Sequence, residues 1–97
     1  MNENKEGLSP TQPRRELLTE LGYEDSVVLD PEYYDEAIIG IGHNGRVIYS
    51  YDKLVQVLVA HDDMTDEEAI EWIDYNTIRA IPYMGEKAPI VMYSLPE

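Results

Sequence analysis

A segment of alternating apolar residues around Asn44-Gly45 places the tightest constraint on what this chain folds into. The segment reads AIIGIGHNGRVIYSY over residues 37–51, with β-branched and aromatic residues on both sides of the Asn-Gly pair. Such a pair is a strong signal for a two-residue β-hairpin turn, because the turn needs positive φ angles that asparagine and glycine tolerate. The sequence predicts two antiparallel strands, roughly 37–42 and 46–50, joined at Asn44 and Gly45.

The same segment has glycines in the G-x-G-x-x-G spacing of dinucleotide-binding loops, at Gly40, Gly42 and Gly45. In such a loop the last glycine opens a helix, whose N-terminal amides hold the pyrophosphate. Here Gly45 leads into RVIYS, which is typical of a strand, so the fingerprint lacks the structural context it needs. The glycines therefore indicate a turn and close packing rather than a nucleotide site.

A two-residue turn also predicts the register and the two faces of the hairpin. Ile41 would lie opposite Ile48, and His43 opposite Arg46. The predicted core face then carries Ala37, Ile39, Ile41 and Ile48. The other face carries Ile38, Val47, Tyr49 and Tyr51. We expect this tyrosine-rich face to be either a contact surface or a face covered by the protein itself.

Two short helical pieces are predicted before the hairpin. PRRELLTELG begins with Pro13 and ends with Gly22, which are typical residues for the start and the end of a helix. Asp30-Pro31 combines a candidate N-cap with a first-turn proline, which predicts a turn of helix at 31–35.

Two longer helices are predicted after the hairpin. Ser50 resembles the N-cap of a helix near 52–61, and Thr65 with Glu68 forms a capping box for a helix near 66–80. The run IVMY over 90–93 reads as a third strand that joins the hairpin. The fold class expected is α+β, with a three-stranded antiparallel sheet packed by two main helices and a short N-terminal helix.

The length of 97 residues permits one hydrophobic core, and we expect a single compact domain over residues 14–97 after a flexible polar tail at 1–13. The chain has no cysteine, which excludes disulfides and thiolate metal sites and suits a reducing cytoplasm. No apolar run is long enough to span a bilayer, and the first residues do not resemble a signal peptide. We expect a soluble cytoplasmic protein.

The formal net charge is −13, from 20 acidic and 7 basic residues. No lysine or arginine lies between Arg15 and Arg46, or between Lys53 and Arg79. Surfaces of this kind repel phosphate backbones and anionic lipids, which argues against direct nucleic-acid and membrane binding. A basic protein surface is the favoured partner, although acidic residues that serve solubility alone are the commoner explanation.

The segment HDDMTDEE offers hard ligands for a metal ion, at His61, Asp62, Asp63 and Asp66. It departs from an EF-hand, because Met64 interrupts the alternating acids and the central glycine is missing. We interpret these acids as an exposed loop and a helix cap, and we predict no metal and no cofactor.

Catalysis has few candidate residues in this chain. The two histidines, His43 and His61, lie in predicted polar connections, and no arrangement of a nucleophile with its base is evident. We predict no catalytic residues and a non-enzymatic protein. A small metal- or ligand-dependent enzyme near His43 or His61 is the alternative.

The predicted helix at 66–80 has an apolar inner face and an acidic outer face. Ala69, Ile70, Ile73, Ala80 and Ile81 point inward, with Trp72 at the edge. Asn76 and Thr77 fall on the inner face, where we expect them to hydrogen-bond neighbouring backbone such as a strand end or the loop at 82–89. The candidate partner-binding residues are Glu67, Glu71, Asp74, Tyr75 and Ile78 on the outer face, together with Tyr49 and Tyr51 of the hairpin.

Three blocks of this sequence resemble a family of small bacteriophage- and prophage-encoded proteins of uncharacterised activity. They are DEAIIGIGHNGRVIYSYDKLV, TDEEAIEWIDYNTIRAIPYMG and APIVMY, and the most distinctive part is EEAIEWIDYNTIRAIPY. The resemblance covers about residues 35–93 and brings no catalytic residue with it. It implies a phage protein in the cytoplasm of a bacterial host, where small acidic proteins often bind and block host factors, including defence nucleases.

The function expected from these observations is a non-enzymatic acidic module that binds a basic host protein, as a phage-type accessory factor or inhibitor. The sharper form of this hypothesis is nucleic-acid mimicry, in which carboxylates take the places of phosphates in the groove of a nuclease. A purely structural homodimer that shares the Tyr49/Tyr51 face is a further alternative.

Overall fold

Residues 13–96, which the computed structural model describes, form a three-stranded sheet packed by helices, and the predicted α+β class is confirmed. The flexible tail predicted at 1–13 lies outside the described residues except for Pro13. In chain order the elements are α1 (Arg14–Glu20), a 3-10 helix (Glu32–Ala37), β1 (Ile38–Ile41), β2 (Val47–Ser50), α2 (Tyr51–Asp62), α3 (Asp66–Trp72), a π-helix (Ile73–Ile78), a second 3-10 helix (Ile81–Tyr83) and β3 (Ile90–Met92).

The short N-terminal helix ends as its sequence predicts. Gly22, at φ +93°, donates its N–H to the Thr19 carbonyl, and Tyr23 donates to the Leu18 carbonyl at 2.8 Å. These two bonds close the last turn of α1, because a left-handed glycine lets the chain reverse over the free carbonyls. The turn of helix predicted at 31–35 is present as the first 3-10 helix, which begins after Pro31 without a side-chain cap.

The hairpin is where the sequence predicts it, but its turn has three residues instead of two. Gly42 pairs with Arg46 through a 2.8 Å backbone bond, and Gly45 N–H donates to the Gly42 carbonyl at 2.9 Å. Gly45 has φ +81°, whereas Asn44 keeps a negative φ and accepts a hydrogen bond from Arg46 N–H through its side chain. This is the common loop in which a left-handed glycine follows a β-turn. The predicted two-residue turn is wrong.

The longer turn moves the register by one residue, and the side chains of β2 that face the core are not the predicted ones. Ile41 lies opposite Val47 and Ile38 opposite Tyr49, with a bulge at Ile39. Val47 and Tyr49 are fully buried, whereas Ile39 is 42% exposed. Of the predicted core face Ala37 is buried, but the tyrosine-rich face is the one that faces the core.

The third strand also departs from the expected arrangement. β3 pairs with β2 in parallel, with Ile48 opposite Ile90 and Ser50 opposite Met92. The strand order is β1-β2-β3, so the sheet is mixed and the predicted antiparallel sheet is wrong. The long connection through two helices allows the chain to return to the start of β2 before it enters β3, which a tight turn does not allow.

The helices after the hairpin begin at the predicted caps. The Ser50 hydroxyl accepts a hydrogen bond from Lys53 N–H, and the Thr65–Glu68 capping box is complete. These two helices and the π-helix that follows bury Leu54, Val57, Leu58, Ala69 and Ile73 in the core beside Val47 and Tyr49. Within residues 13–96, every helix is too short or too polar to cross a bilayer.

Candidate functional site

The predicted outer face of the helix after the capping box is solvent-exposed. Glu67, Glu71 and Asp74 are all exposed, and Tyr75 is 66% exposed. We call Glu67, Glu71 and Asp74 the acidic face. No lysine or arginine lies between Lys53 and Arg79, so the acidic face has no basic residue within its own span, and Arg79 follows five residues after Asp74.

The inner face of this helix differs from its prediction, because the chain changes from α-helix to π-helix at Ile73. In a π-helix the hydrogen bonds join residues five apart, so the faces expected from α-helical spacing no longer apply beyond Ile73. Ile78 is half-buried against the core, so its predicted place on the outer, partner-binding face is wrong. Ile70 and Trp72, predicted at the inner face and its edge, are 39% and 45% exposed.

The Tyr51 side chain joins the acidic face to the C-terminal segment. Its hydroxyl donates to Asp74 Oδ1 at 3.0 Å, and its ring lies 4.8 Å from the ring of Tyr93, with 36° between the ring planes. Burial, with the hydrogen bond to Asp74 as the second cause, raises the pKa of Tyr51 to about 12. We call Tyr51, Asp74 and Tyr93 the tyrosine cluster.

Tyr93 was not among the residues predicted from sequence. It follows β3 and is 61% exposed, and its neighbours are brought together from α2 and the π-helix. No local spacing relates these three positions, because the parallel pairing of β3 is what carries Tyr93 to the start of α2. The only sequence signal available was the aromatic residue at the end of IVMY.

Tyr49 is not a contact residue, and its assignment to a partner-binding surface is wrong. Its side chain is fully buried, and its hydroxyl accepts a hydrogen bond from Leu29 N–H at 2.8 Å. Burial is the main cause that raises the pKa of Tyr49 to about 12. A homodimer that shares Tyr49 is therefore ruled out, because this side chain has no surface to share.

Several basic side chains are engaged within the protein. Arg15 Nε donates to Asp35 Oδ2 at 2.7 Å, and Arg46 Nε donates to the Ala88 carbonyl at 2.6 Å. Lys87 donates to a backbone carbonyl of the hairpin loop at 3.3 Å. These three cations connect loops to the sheet or to α1. They therefore do not neutralise the carboxylates of the acidic face.

His61 lies in a second polar group, at the end of α2. Its Nε2 is 3.2 Å from Glu36 Oε2, and its ring stacks on Tyr33 with 4.6 Å between centroids. The Tyr33 hydroxyl is 2.8 Å from both carboxylate oxygens of Asp62, and this hydrogen bond is the main cause that raises the pKa of Tyr33 to about 12. These contacts fasten the first 3-10 helix to the end of α2.

The other residues considered for chemistry are separated from one another. His43 lies exposed in the hairpin turn. Across residues 13–96, no three histidine or acidic side chains converge as metal ligands. Thr77 is buried as predicted, but Asn76 is exposed and donates to the Trp72 carbonyl of its own helix at 3.1 Å. The expectation that Asn76 bonds a neighbouring segment is wrong.

An apolar groove of about 220 Å³ lies between α1 and β1. It is lined by Leu17, Leu21, Ile39 and Ile41, with Arg14 at its edge. Its volume is below the roughly 300–1,000 Å³ of ordinary ligand pockets. The groove is therefore smaller than a typical small-molecule site.

The resemblance to small phage proteins stays a prediction, and function has to be argued from the surfaces described above. Comparison of the chain with protein-family models, with curated proteins and with solved structures found no match.

Proposed function

We propose that this protein is a non-enzymatic binding module whose acidic face docks on a basic surface of a partner protein. The observation that carries the proposal is the row of exposed carboxylates at Glu67, Glu71 and Asp74, beside an exposed tyrosine. An interface suited to a basic partner combines charge complementarity with an aromatic residue that is already ordered, since aromatic residues are enriched where interfaces gain most of their energy.

The charge spacing on this helix supports nucleic-acid mimicry as the specific form of the proposal. Exposed carboxylates occupy five of the nine positions from Asp66 to Asp74. With about 1.5 Å of rise per residue, they lie along roughly 12 Å of helix axis, and three of them, Glu67, Glu71 and Asp74, share the acidic face at intervals of about 5 Å. One strand of B-DNA carries a charge about every 3.4 Å. Carboxylates at this density could occupy a phosphate-binding groove, such as that of a nuclease or defence factor.

The test compares two triple variants with the same change in net charge. Glu67→Gln, Glu71→Gln and Asp74→Asn neutralise the acidic face, while Glu16→Gln, Glu20→Gln and Glu24→Gln neutralise exposed acids of α1 and the segment after it. Both are compared with the wild type in affinity capture from a bacterial lysate, followed by titration of the captured protein at several salt concentrations.

We expect the wild type and the α1 variant to retain a basic protein with steeply salt-dependent affinity, and the acidic-face variant to lose it. Equal loss in both variants would mean that net charge alone governs binding, and it would overturn the proposed surface. Duplex DNA should compete with the wild type for the captured protein if mimicry is correct. Retained affinity in the acidic-face variant excludes mimicry.

The enzyme alternative near His43 or His61 is separated from this proposal by a thermal-shift screen with divalent metals and nucleotides. A specific ligand raises the melting temperature by mass action, so we expect no shift at physiological concentrations. A saturable shift with one of these ligands would favour the enzyme alternative.

A further inference from the structure

Tyr51 and Tyr93 form an aromatic surface that is ordered and still open. Their ring centroids are 4.8 Å apart, so each ring restricts the other. Tyr93 is 61% exposed, whereas Tyr51 is half-buried at the start of α2. Because the contact with Tyr51 already restricts the Tyr93 ring in the free protein, the ring has less rotational freedom to lose when a ligand binds on its exposed side.

A carboxylate is attached to this aromatic pair by a direct hydrogen bond. The Tyr51 hydroxyl donates to Asp74 Oδ1 at 3.0 Å, which orients the carboxylate relative to the two rings. Asp74 is exposed, so a ligand from solvent reaches it. The hydroxyl of Tyr51 remains a donor throughout the neutral range, since burial and this bond raise its pKa to about 12.

The neighbouring turn of the helix already holds a guanidinium group against a tyrosine. Arg79 lies over the ring of Tyr75, with 5.6 Å between the guanidinium carbon and the ring centroid. This distance is within the roughly 6 Å range of cation–π attraction. Tyr75 follows Asp74 directly, so an arginine stacks on a tyrosine within one residue of the tyrosine cluster.

We propose that the tyrosine cluster is an arginine-selective anchoring site, at which an arginine of the basic partner stacks on Tyr93 and pairs with Asp74. This inference rests on the proposed function, because it names the group that the acidic surface recognises. Arginine fits the combination better than lysine does. Its planar, weakly hydrated guanidinium stacks on a ring and pairs with a carboxylate through two N–H groups, whereas an ammonium is a compact, strongly hydrated charge.

The proposal is tested with two synthetic peptides of equal length and charge, one alternating arginine with glycine and the other alternating lysine with glycine. Each is labelled, and its affinity for the full chain is measured by fluorescence anisotropy. We expect the wild type to bind the arginine peptide about two- to fivefold more tightly, as an exposed cation–π contact predicts. Tyr93→Leu should bind both peptides equally, and Tyr93→Phe should keep the preference.

Two further variants separate this site from general acidity. Tyr83, which is 89% exposed on the second 3-10 helix, provides the matched control, and Tyr83→Leu should keep the arginine preference. The double variant Glu67→Gln and Glu71→Gln should lower the affinity for both peptides by the same factor. Circular dichroism of each variant checks that the fold is retained.

The outcomes distinguish the two proposals. Equal affinities of the two peptides for the wild type overturn the arginine site and leave the acidic module standing. A preference that survives Tyr93→Leu also overturns the site, because the ring is then not its origin. If neither peptide binds at low salt but the acidic face still captures a partner, only the arginine site is overturned. If neither peptide binds and no partner is captured, the proposed function is overturned as well.

Discussion

Individual side chains in this protein show how burial changes the role that a residue type suggests. Tyr49 looked like a surface contact because tyrosines alternate with apolar residues around it, yet its hydroxyl satisfies the Leu29 N–H inside the core. A buried N–H without an acceptor costs about 1–3 kcal/mol, which explains a polar atom at this depth. Residue type alone did not reveal this partner, since Leu29 lies in an irregular segment.

Asp35 is the residue whose titration should be visible in stability. Its carboxylate is buried, pairs with Arg15 through Oδ2, and has no hydrogen-bond partner at Oδ1. Burial outweighs the ion pair and raises the pKa of Asp35 above its ordinary value of 3.8. The folded chain therefore holds this proton more tightly than the unfolded chain does. The contribution of Asp35 to stability consequently falls as the pH rises from the pKa of the unfolded chain to that of the folded chain.

Asp35→Asn removes this titration. The unfolding free energy of the wild type minus that of the variant should therefore decrease as the pH rises from about 3 through the acidic range. Urea unfolding across that range measures the difference, and Asp25→Asn is the matched control for the loss of an exposed charge. A difference that stays constant or grows with pH would contradict the raised pKa.

At the scale of elements, local signals located the three strands and the longer helices and predicted the antiparallel hairpin, but they missed its register, the parallel pairing of β3 and the second 3-10 helix. The Thr65–Glu68 box and the Ser50 cap act within one helical turn, and both are present. The turn length differed because Asn44 and Gly45 are compatible with two loop types, and one extra loop residue shifts the register of β1 against β2 by one residue. The π-helix from Ile73 to Ile78 was not predicted either.

The hairpin loop should depend on Gly45 far more than on Gly40. Gly45→Ala forces a side chain into φ +81°, which costs roughly 1–2 kcal/mol for an L-residue. Gly40→Ala is the matched control, because a Cβ there meets nothing within 4 Å and its φ is not positive. Chemical denaturation of both variants measures the two costs. Equal destabilisation would contradict the left-handed conformation at Gly45.

For the whole molecule, the net charge of −13 should oppose folding through mutual repulsion of the carboxylates. Salt screens this repulsion, and the screening length falls from about 30 Å at 0.01 M to about 3 Å at 1 M. If screening increases the free energy of unfolding by about 1 kcal/mol, we expect the melting temperature to rise by about 4–8 °C over this range of salt concentration.

The variant with a neutralised acidic face is the natural comparison in this experiment. Glu67→Gln, Glu71→Gln and Asp74→Asn should reduce the salt-induced rise, since fewer charges are left to screen. Differential scanning calorimetry measures both rises. A melting temperature that falls with added sodium chloride would instead indicate that attractive charge pairs dominate the folded state.

Short-range signals were enough to find the α+β class, the positions of the helices and the acidic face, because caps, turn glycines and charge runs act over a few residues. Long-range contacts decided the rest. The parallel entry of β3 unites Tyr93 with Tyr51 and Asp74, and the register of β1 and β2 buries Tyr49. The register and the strand pairing depend on which surfaces bury the most apolar area against one another. Those surfaces are formed by residues far apart in the chain, which come together only in the folded protein.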